Sequence, residues 1–306
     1  MQPRRQEVTK NARRRECHAS TELQKRFDGL TREWRVTVES TCVTDSSLLA
    51  FGSRDGQSVV LKVLRNEGDE WRSGAILEAF DGRGMSRVYE HVGGGVLMER
   101  LQPGQSLADM ALGGRDNEAT AILADVIARL CPHASANAWP AVEDWAAGFD
   151  RYAAGGDRQI PEDLIEQGHR IYSDLCVSQR HRQLFHGDLH HYNVLFDARR
   201  GWLAIDPKGA VGELEYEVGA ALRNPYEAPE LFLEPSTIER RVDQFGRKLN
   251  VNRGRVLAWA FAQAVLAAIW AAEDGTPVDR GHPFISLAHA IWRMLGHKST
   301  ENAPSK

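Results

Sequence analysis

The hydrophobic and polar positions along the first third of the chain follow the pattern of short strands. Residues 47–51 and 58–64 are apolar runs on either side of an Asp-Gly dipeptide, which favours a tight hairpin turn. Two similar runs, at residues 88–91 and 96–101, flank three consecutive glycines. Between the two pairs, apolar residues recur on one face over residues 69–80, which predicts a helix. Over residues 34–101 the order is β-β-β-α-β-β, which predicts a small antiparallel sheet with one helix.

After residue 102 the apolar positions recur about every 3.6 residues, as they do in helices. This spacing is clear at residues 119–130 and 284–295, and Ser236 with Glu239 resembles a capping box that starts another helix. The predicted fold class is therefore α+β. A small antiparallel-sheet N-lobe over residues 31–101 joins a larger, mainly helical C-lobe over residues 102–306, and the joint lies near residues 99–104.

One segment of the C-lobe has the composition of a membrane span. Residues 256–272 are apolar and are interrupted only by Gln263. The segment is at the short limit for crossing a bilayer, and no second apolar span accompanies it. We therefore expect a buried core helix here and no membrane partner.

The composition is that of an ordinary globular protein. The 306 residues are 42% hydrophobic and 26% charged, with a net charge of −4, which excludes a fibrous or disordered chain and disfavours nucleic acid as a partner. Residues 1–30 are basic without an apolar run, so we expect a weakly structured N-terminal extension. The four cysteines are scattered and form no C-x-x-C pair, as expected for reduced thiols in a cytoplasmic protein.

Three oxygen-bearing side chains are predicted to meet at one end of a hairpin. Apolar runs at residues 194–196 and 202–205 flank a short polar turn and should pair as antiparallel strands. Asn193 enters the first strand and Asp206 leaves the second, so both should lie beside the loop that carries Asp188. Each residue alone is an ordinary turn former. Together they favour a Mg²⁺ site, because Mg²⁺ prefers hard oxygen ligands at the edge of a cleft.

The strings around these residues resemble those of a known family. The catalytic-loop candidate reads H-G-D-L-H-H-Y-N, and the hairpin ends in I-D-P-K-G. The spacing from Asp188 to Asn193 is that of a kinase catalytic loop, although Gly replaces the arginine of protein kinases. The motifs resemble the aminoglycoside phosphotransferase family. The fuller strings G-E-L-E-Y-E-V-G and L-R-N-P resemble its streptomycin 6-phosphotransferase (aminoglycoside/hydroxyurea resistance kinase) branch.

This resemblance implies a protein-kinase-like two-lobed fold with ATP and Mg²⁺ as cofactors. It makes Asp188 the catalytic base, which takes or orients the proton of the acceptor hydroxyl, and makes Asn193 and Asp206 the metal ligands. The segment that ends the last predicted strand of the N-lobe resembles the hinge between the lobes. Backbone groups near Glu99 and Leu101 would there bind the adenine edge of ATP.

Lys62 is a cation within an apolar strand and therefore needs an anionic partner. Its position resembles that of the family's ATP-phosphate lysine. Two partners are open, Glu70 at the spacing of close relatives and Glu78 at the longer spacing of the wider fold, and we expect Glu70. The loop at residues 39–47 is rich in Ser and Thr and lacks G-x-G. In this family such a loop covers the ATP phosphates.

An acidic run follows the predicted metal aspartate. Residues 212–243 hold eight acidic and three basic side chains, and Glu213 and Glu217 stand where the family motif has aspartates. Such a surface would attract a cationic aminoglycoside, so we expect Glu213 and Glu217, with Asp188, to bind the acceptor. The alternative is that the acids are solvated, and that Glu217 only braces the catalytic loop.

The resemblance implies an ATP-dependent O-phosphotransferase that acts on a hydroxyl of an aminoglycoside, streptomycin at its 6-hydroxyl above all, and so confers antibiotic resistance. One alternative keeps the fold and changes the small molecule to hydroxyurea, a macrolide or an endogenous metabolite. Another is a nucleotide-binding pseudokinase, which the intact set of Lys62, Asp188, Asn193 and Asp206 disfavours. The expected partner is the small-molecule acceptor, and the expected oligomeric state is a monomer or a weak dimer.

Overall fold

A five-stranded antiparallel sheet forms the N-lobe of the computed structural model, which describes residues 20–130 and 139–296. The strand order is β1-β2-β3-β5-β4, so the chain places its third strand at the centre. This confirms the predicted sheet. Its strands are β1 (Thr37–Val43), β2 (Ser47–Arg54), β3 (Gln57–Leu64), β4 (Val88–Val92) and β5 (Gly95–Glu99).

A helix precedes the sheet and packs on it. Helix α1 (Thr21–Glu33) begins after Ser20, whose Oγ accepts a hydrogen bond from the backbone N–H of Leu23, as an N-cap does. Its buried face contributes Leu23, Phe27 and Leu30 to a cluster with the strands. The predicted weakly structured extension is therefore wrong over residues 20–30, and residues 1–19 lie outside the described part of the chain.

The second helix of the N-lobe lies between β3 and β4, as predicted. A 3₁₀ turn at Asp69–Arg72 leads into helix α2 (Ser73–Phe80), which buries Ile76, Leu77 and Phe80. Strand β5 then ends at Glu99, and the following residues lead into the C-lobe.

The C-lobe is mainly helical. Its short strands are β6 (Pro103–Ser106), β7 (Gln183–Phe185), β8 (Val194–Asp197), β9 (Gly201–Ala204) and β10 (Ala210–Gly212). Its helices are α3 (Leu107–Met110), α4 (Asp116–Arg129), α5 (Val142–Trp145), α6 (Ala147–Gly155), α7 (Glu162–Val177), α8 (Leu214–Leu222), α9 (Pro229–Phe232), α10 (Pro235–Leu249), α11 (Arg253–Glu273) and α12 (Pro283–Met294). A π-helical turn at Ala111–Arg115 joins α3 to α4.

Helix α11 is the centre of the C-lobe core. It packs against α7, α8 and α12, and most of its residues are buried. Among the described helices, it alone is long and apolar enough to cross a membrane, and 72% of its most apolar window is buried inside the protein. The predicted buried core helix is therefore confirmed.

The start of helix α10 corrects one sequence prediction. The helix begins at Pro235 after Glu234, without a side-chain cap, whereas a capping box was expected at Ser236 and Glu239. Proline favours the first helical position, because its missing N–H has no partner there in any case. The Ser236 hydroxyl instead donates to the Glu234 carboxylate at 3.3 Å.

Two short strand pairs hold the loops of the site. Strands β8 and β9 form the predicted hairpin, with Val194 opposite Ala204 and Asp197 opposite Gly201. Strands β7 and β10 pair antiparallel, with Phe185 opposite Ala210. The chain before β8, after β9 and before β10 therefore meets at one end of these strands.

Two cysteines are described, Cys42 and Cys176, and both are free thiols.

Candidate active site

A buried histidine, His186, joins the loop between β7 and β8 to the segment that follows β9. His186 donates from Nε2 to the carbonyl oxygen of Ile205 at 2.7 Å, and its Nδ1 accepts from the backbone N–H of Asp188 at 3.3 Å. Burial lowers the pKa of His186 to about 4, so the ring is neutral and can play both roles. His186 therefore joins the loop carrying Asp188 to the segment carrying Asp206.

Glu217 fastens the same loop from helix α8. Its side chain is buried, and its two oxygens accept hydrogen bonds from the backbone N–H of Gly187 at 2.9 Å and of Leu189 at 3.2 Å. Burial raises the pKa of Glu217 to about 8 against the opposing effect of these two bonds. The prediction that Glu217 binds the acceptor is therefore wrong, because both oxygens are occupied. The alternative, a brace for the catalytic loop, is confirmed.

Two cations hold the carboxylate of Asp188. Its Oδ2 lies 3.1 Å from Lys208 Nζ, and its Oδ1 lies 3.3 Å from a terminal nitrogen of Arg223. Burial alone would raise the pKa of Asp188, but the cationic groups around it outweigh burial and keep the pKa well below its ordinary value. Asp188 is therefore an ionised carboxylate with a fixed orientation.

The two predicted metal ligands lie on adjacent segments. The backbone N–H of Ile205, just before Asp206, donates to the carbonyl oxygen of Asn193 at 2.9 Å. The amide nitrogen of Asn193 donates to the carbonyl oxygen of Asp188 at 3.0 Å, which leaves the amide oxygen as the atom for a metal. Asp206 adopts a positive φ of 56°, a conformation that often marks functional positions in non-glycine residues.

The residues present fit Mg²⁺. Within the described residues there is no cluster of three or more His, Cys, Asp or Glu side chains that could hold a metal by itself. Mg²⁺ needs no such cluster, because it commonly takes one or two protein oxygens and completes its shell with water and phosphate. Asp206 and Asn193 offer one carboxylate and one amide oxygen. This is the chemistry of a metal that arrives with a nucleotide.

Lys62 connects the N-lobe to this site. Its side chain is buried, and Nζ lies 2.8 Å from Glu70 Oε2 and 3.0 Å from Asp206 Oδ1. Burial would lower the pKa of Lys62, but the two carboxylates outweigh it and raise the pKa above its ordinary value. The predicted pairing with Glu70 is confirmed, since Glu78 lies against His91 instead, at 3.3 Å. The partner stands on the 3₁₀ turn before α2, rather than within that helix.

The hinge offers one free backbone donor. The N–H of Glu99 donates to the carbonyl oxygen of Arg87 at 2.9 Å, and the N–H of Arg100 donates to Ser58 at 3.2 Å. Within the described part of the chain, the N–H of Leu101 has no such acceptor. The Glu99 carboxylate is occupied by Arg200 and by the N–H of Arg87. The backbone N–H of Leu101 is therefore left as a donor for an adenine edge here.

A pocket beside Glu70 is large enough for phosphate groups. It has a volume of about 330 Å³, and Ser46, Arg65, Gly68 and Lys208 are among its lining residues. It combines the Ser/Thr-rich turn between β1 and β2 with the cation that contacts Asp188. This turn is held by the hydroxyl of Thr44, which hydrogen-bonds to Ser47.

Glu213 does not belong to this site. Its carboxylate is buried and accepts hydrogen bonds from the Arg255 guanidinium and the Trp259 indole. Gly212, just before it, lies opposite Gln183, and β7 runs from Gln183 toward Asp188. Glu213 is therefore at the end of the β7/β10 pair remote from the catalytic loop. The prediction that Glu213 binds the acceptor is wrong, because the acid is already neutralised inside the C-lobe.

Sequence reasoning missed two functional candidates, Lys208 and Arg223. Both stand inside the quoted strings I-D-P-K-G and L-R-N-P, but neither had been given a role. Their signal is weak, because a charge beside an apolar run is usually solvated. Only the folded chain shows that both cations converge on one carboxylate.

The chain is similar to proteins of known activity. The sequence model of the aminoglycoside/hydroxyurea antibiotic resistance kinase family matches residues 33–275. The chain is 31% identical to the streptomycin 3''-kinase of Klebsiella pneumoniae over 86% of this chain and 98% of that protein. It is 30% identical to the streptomycin 6-kinase of Streptomyces griseus, over 73% and 78%. It is also 30% identical to the hydroxyurea phosphotransferase of Kitasatospora aureofaciens, over 72% and 64%.

The fold is also found among solved structures. One is aminoglycoside phosphotransferase APH(4)-Ia in a ternary complex with ADP and hygromycin B, which superimposes with a TM-score of 0.59 at 17% identity, over 87% of this chain and 95% of that one. The likeness shows the protein-kinase-like fold predicted from the sequence. The chain belongs to the aminoglycoside phosphotransferase family, in its aminoglycoside/hydroxyurea resistance kinase branch, and is a small-molecule phosphotransferase.

Proposed function

We propose that this protein transfers the γ-phosphoryl group of ATP to a hydroxyl of streptomycin, at the 6-position, and thereby confers resistance. One observation carries the phosphoryl-transfer part of the proposal. Lys62 reaches from the N-lobe to Asp206 at 3.0 Å, and Lys208, two residues on, reaches Asp188 at 3.1 Å. The proposed phosphate-binding lysine, metal ligand and base are thus linked through the short segment 206–208. We expect the reaction in the cytoplasm, where ATP is supplied.

The contacts assign a role to each side chain. Lys62, held by Glu70, would bind the ATP phosphates, and the free N–H of Leu101 would bind the adenine edge. Asn193 and Asp206 would hold Mg²⁺, which neutralises the charge of the β- and γ-phosphates when bound. Lys208 lines the neighbouring pocket, so its ammonium group would stabilise the negative charge of the phosphoryl group during transfer as well as that of Asp188.

The proton of the acceptor hydroxyl passes to Asp188 late in the reaction. A carboxylate with a strongly lowered pKa is a weak base, so it cannot remove this proton before the phosphoryl group begins to bond. Phosphoryl transfer has a loose transition state with little bonding to the nucleophile, so an early base is not required. Asp188 therefore orients the hydroxyl first and accepts the proton as the new P–O bond forms and the bond to ADP breaks.

The acceptor class rests on the relatives. Two of them, at about 30% identity, are by name streptomycin kinases, and these names support an aminoglycoside as the acceptor. The position of transfer has a second candidate, the 3''-hydroxyl, because the 3''-kinase is matched over 98% of its length. Hydroxyurea is an alternative acceptor, since the family model and one relative include it in their names.

A panel of acceptors tests the proposal. Purified protein would be given Mg²⁺ and ATP with streptomycin, hygromycin B, hydroxyurea or no acceptor, and ADP release would be followed. We expect streptomycin to raise ADP release at least tenfold over the background without an acceptor. ADP release with hydroxyurea alone would transfer the proposal to that substrate. Nucleotide binding without turnover on any acceptor would instead indicate a pseudokinase.

A further inference from the structure

One polar side chain lies inside the most apolar helix of the C-lobe. Gln263 interrupts the apolar run of α11 and is only 4% exposed. A buried amide is costly unless its donors and acceptor are satisfied. Gln263 has partners for both ends: its Nε2 donates to the carbonyl oxygen of Tyr216 at 2.7 Å, and its Oε1 accepts from Arg223 at 3.0 Å.

These two partners fix the orientation of the amide. A carbonyl oxygen can only accept and a guanidinium can only donate, so the nitrogen of Gln263 must face Tyr216 and the oxygen must face Arg223. Tyr216, Gly219 and Arg223 follow one face of helix α8 and its C-terminal end. The glycine makes room for the contact, because a Cβ on Gly219 would lie 2.4 Å from Gln263 Oε1.

Arg223 continues the connection to the catalytic loop. One terminal nitrogen of its guanidinium binds Gln263, and the other lies 3.3 Å from Asp188 Oδ1. An arginine side chain has several rotatable bonds, and a second hydrogen bond removes much of the freedom that would let it leave the carboxylate. Two hydrogen bonds thus link Asp188, through Arg223, to a residue in the middle of α11.

We propose that Gln263 is a positioning residue for phosphoryl transfer: it fixes the guanidinium of Arg223, which holds Asp188 in one orientation toward the acceptor hydroxyl. The inference rests on the proposed role of Asp188 as the base. Glu217 binds the backbone of the catalytic loop, and Arg223, at the C-terminal end of the same helix, binds the Asp188 side chain. Among the hydrogen bonds and ion pairs of the described residues, none joins Gln263 or Arg223 to Lys62, Glu70, Glu99 or Leu101.

The first test is the substitution Gln263→Leu, which keeps the side chain buried and removes the acceptor for Arg223. We expect kcat to fall by roughly tenfold, the effect of one hydrogen bond expressed only in the transition state, with KM for ATP within twofold of the wild type. The matched control is Val265→Ala on the same helix, which faces Gly168 of α7 and makes a cavity without touching Arg223. Its kcat per folded molecule should equal that of the wild type.

Two further variants approach the same contact independently. Gly219→Ala places a methyl group against the amide from the side of α8, so it should lower kcat without a change in KM for ATP. It also serves as the test if Gln263→Leu does not fold. Arg223→Ala should lose activity, and added guanidinium ion should restore part of it by filling the space between Gln263 and Asp188.

The decisive measurement is the effect of Gln263→Leu in an Asp188→Asn background. If Gln263 acts through Asp188, the double variant should be no slower than Asp188→Asn alone. An equal tenfold loss in both backgrounds, or a Gln263→Leu enzyme with wild-type kcat, would overturn the positioning role and leave the proposed reaction intact. Wild-type turnover by Asp188→Asn itself would instead remove the proposed base, and the inference with it.

Discussion

Lys62 and Asp206 are in contact across the two lobes, with Nζ of the lysine 3.0 Å from Oδ1 of the aspartate. Lys62 belongs to the central strand of the N-lobe, and Asp206 follows the C-lobe hairpin. The same lysine binds Glu70 at 2.8 Å, so one buried cation serves two carboxylates. Asp206 would hold Mg²⁺ and Lys62 would bind the phosphates in the proposed complex with ATP. In this structure the Lys62 cation thus compensates the negative charges of Glu70 and Asp206.

The first prediction concerns the base. Asp188→Asn keeps the shape of the side chain but removes the charge that accepts the proton. We expect kcat to fall by about two to four powers of ten, with KM for ATP nearly unchanged, as measured by coupled ADP release.

Asp157→Asn is the matched control, because this carboxylate caps a turn at Gln159 outside the site. Its kcat should equal that of the wild type. Turnover by Asp188→Asn within threefold of the wild type would contradict the assignment of Asp188 as the base.

The second prediction separates the two metal ligands. Asp206→Ala should abolish turnover at ordinary Mg²⁺ concentrations, because the neutral amide of Asn193 is the weaker ligand. Asn193→Ala should be milder, and high Mg²⁺ or Mn²⁺ should partly restore its activity. A titration of both metals with each variant measures this. Equal losses that no metal restores would show that Asn193 is structural, consistent with its hydrogen bond to Asp188.

The third prediction concerns pH and Glu217. Its pKa is about 8 in the folded protein, above the ordinary value of 4.5 for a glutamate. Between pH 4.5 and 8 the folded state therefore keeps a proton on Glu217 that the unfolded state has lost. The stability that this proton contributes is fully present below pH 4.5 and is lost as the pH rises to 8.

Glu217→Gln should remove this pH dependence. Urea unfolding of both proteins between pH 5 and 8 should show the wild type losing on the order of a few kcal/mol relative to the variant as the pH rises. The variant should also lower kcat, because its amide nitrogen would face the backbone N–H of Gly187 or Leu189, a donor against a donor. Parallel stability curves for the two proteins would mean that Glu217 is ionised throughout.

The fourth prediction follows from the burial of Glu213. Glu213→Gln removes a charge that holds Arg255 and Trp259 in the C-lobe, so the free energy of unfolding should fall by about 1.5 to 3 kcal/mol. KM for the acceptor should stay within twofold of the wild type. Glu215→Gln is the control, because Glu215 makes one backbone contact, with Asn252 at 3.3 Å. A raised acceptor KM with unaltered stability would return Glu213 to the acceptor site.

The sequence predicts those parts of the molecule that depend on short-range patterns. The β8/β9 hairpin and the residues at its open end are contiguous, so Asn193 and Asp206 could be placed together from spacing alone. The pairing of Lys62 with Glu70 joins residues eight positions apart. The geometry of the hairpin follows from a turn and two strands, whereas Glu70 was expected from the spacing in close relatives.

Long-range partners explain what the sequence does not reveal. The acidic run resembles a surface, but Glu213 forms an ion pair with Arg255 and accepts a hydrogen bond from Trp259, which lie 42 and 46 residues away. Helix α1 was missed because basic residues obscure its apolar positions at Leu23, Phe27 and Leu30, although their spacing is helical. Arg223 shows its role only when α8 and the catalytic loop are packed together.

The position of the phosphoryl group on the product is the most direct test of the account. The enzyme would be incubated with Mg²⁺, ATP and streptomycin, and the product would be examined by two-dimensional ¹H–³¹P NMR. We expect one new phosphate ester whose phosphorus couples to the proton at the 6-position, and far less of it in the same time when Asp188→Asn replaces the wild type. Coupling to the 3''-proton would move the site of transfer but keep the enzyme class. No phosphate ester on streptomycin or any other aminoglycoside would contradict the account.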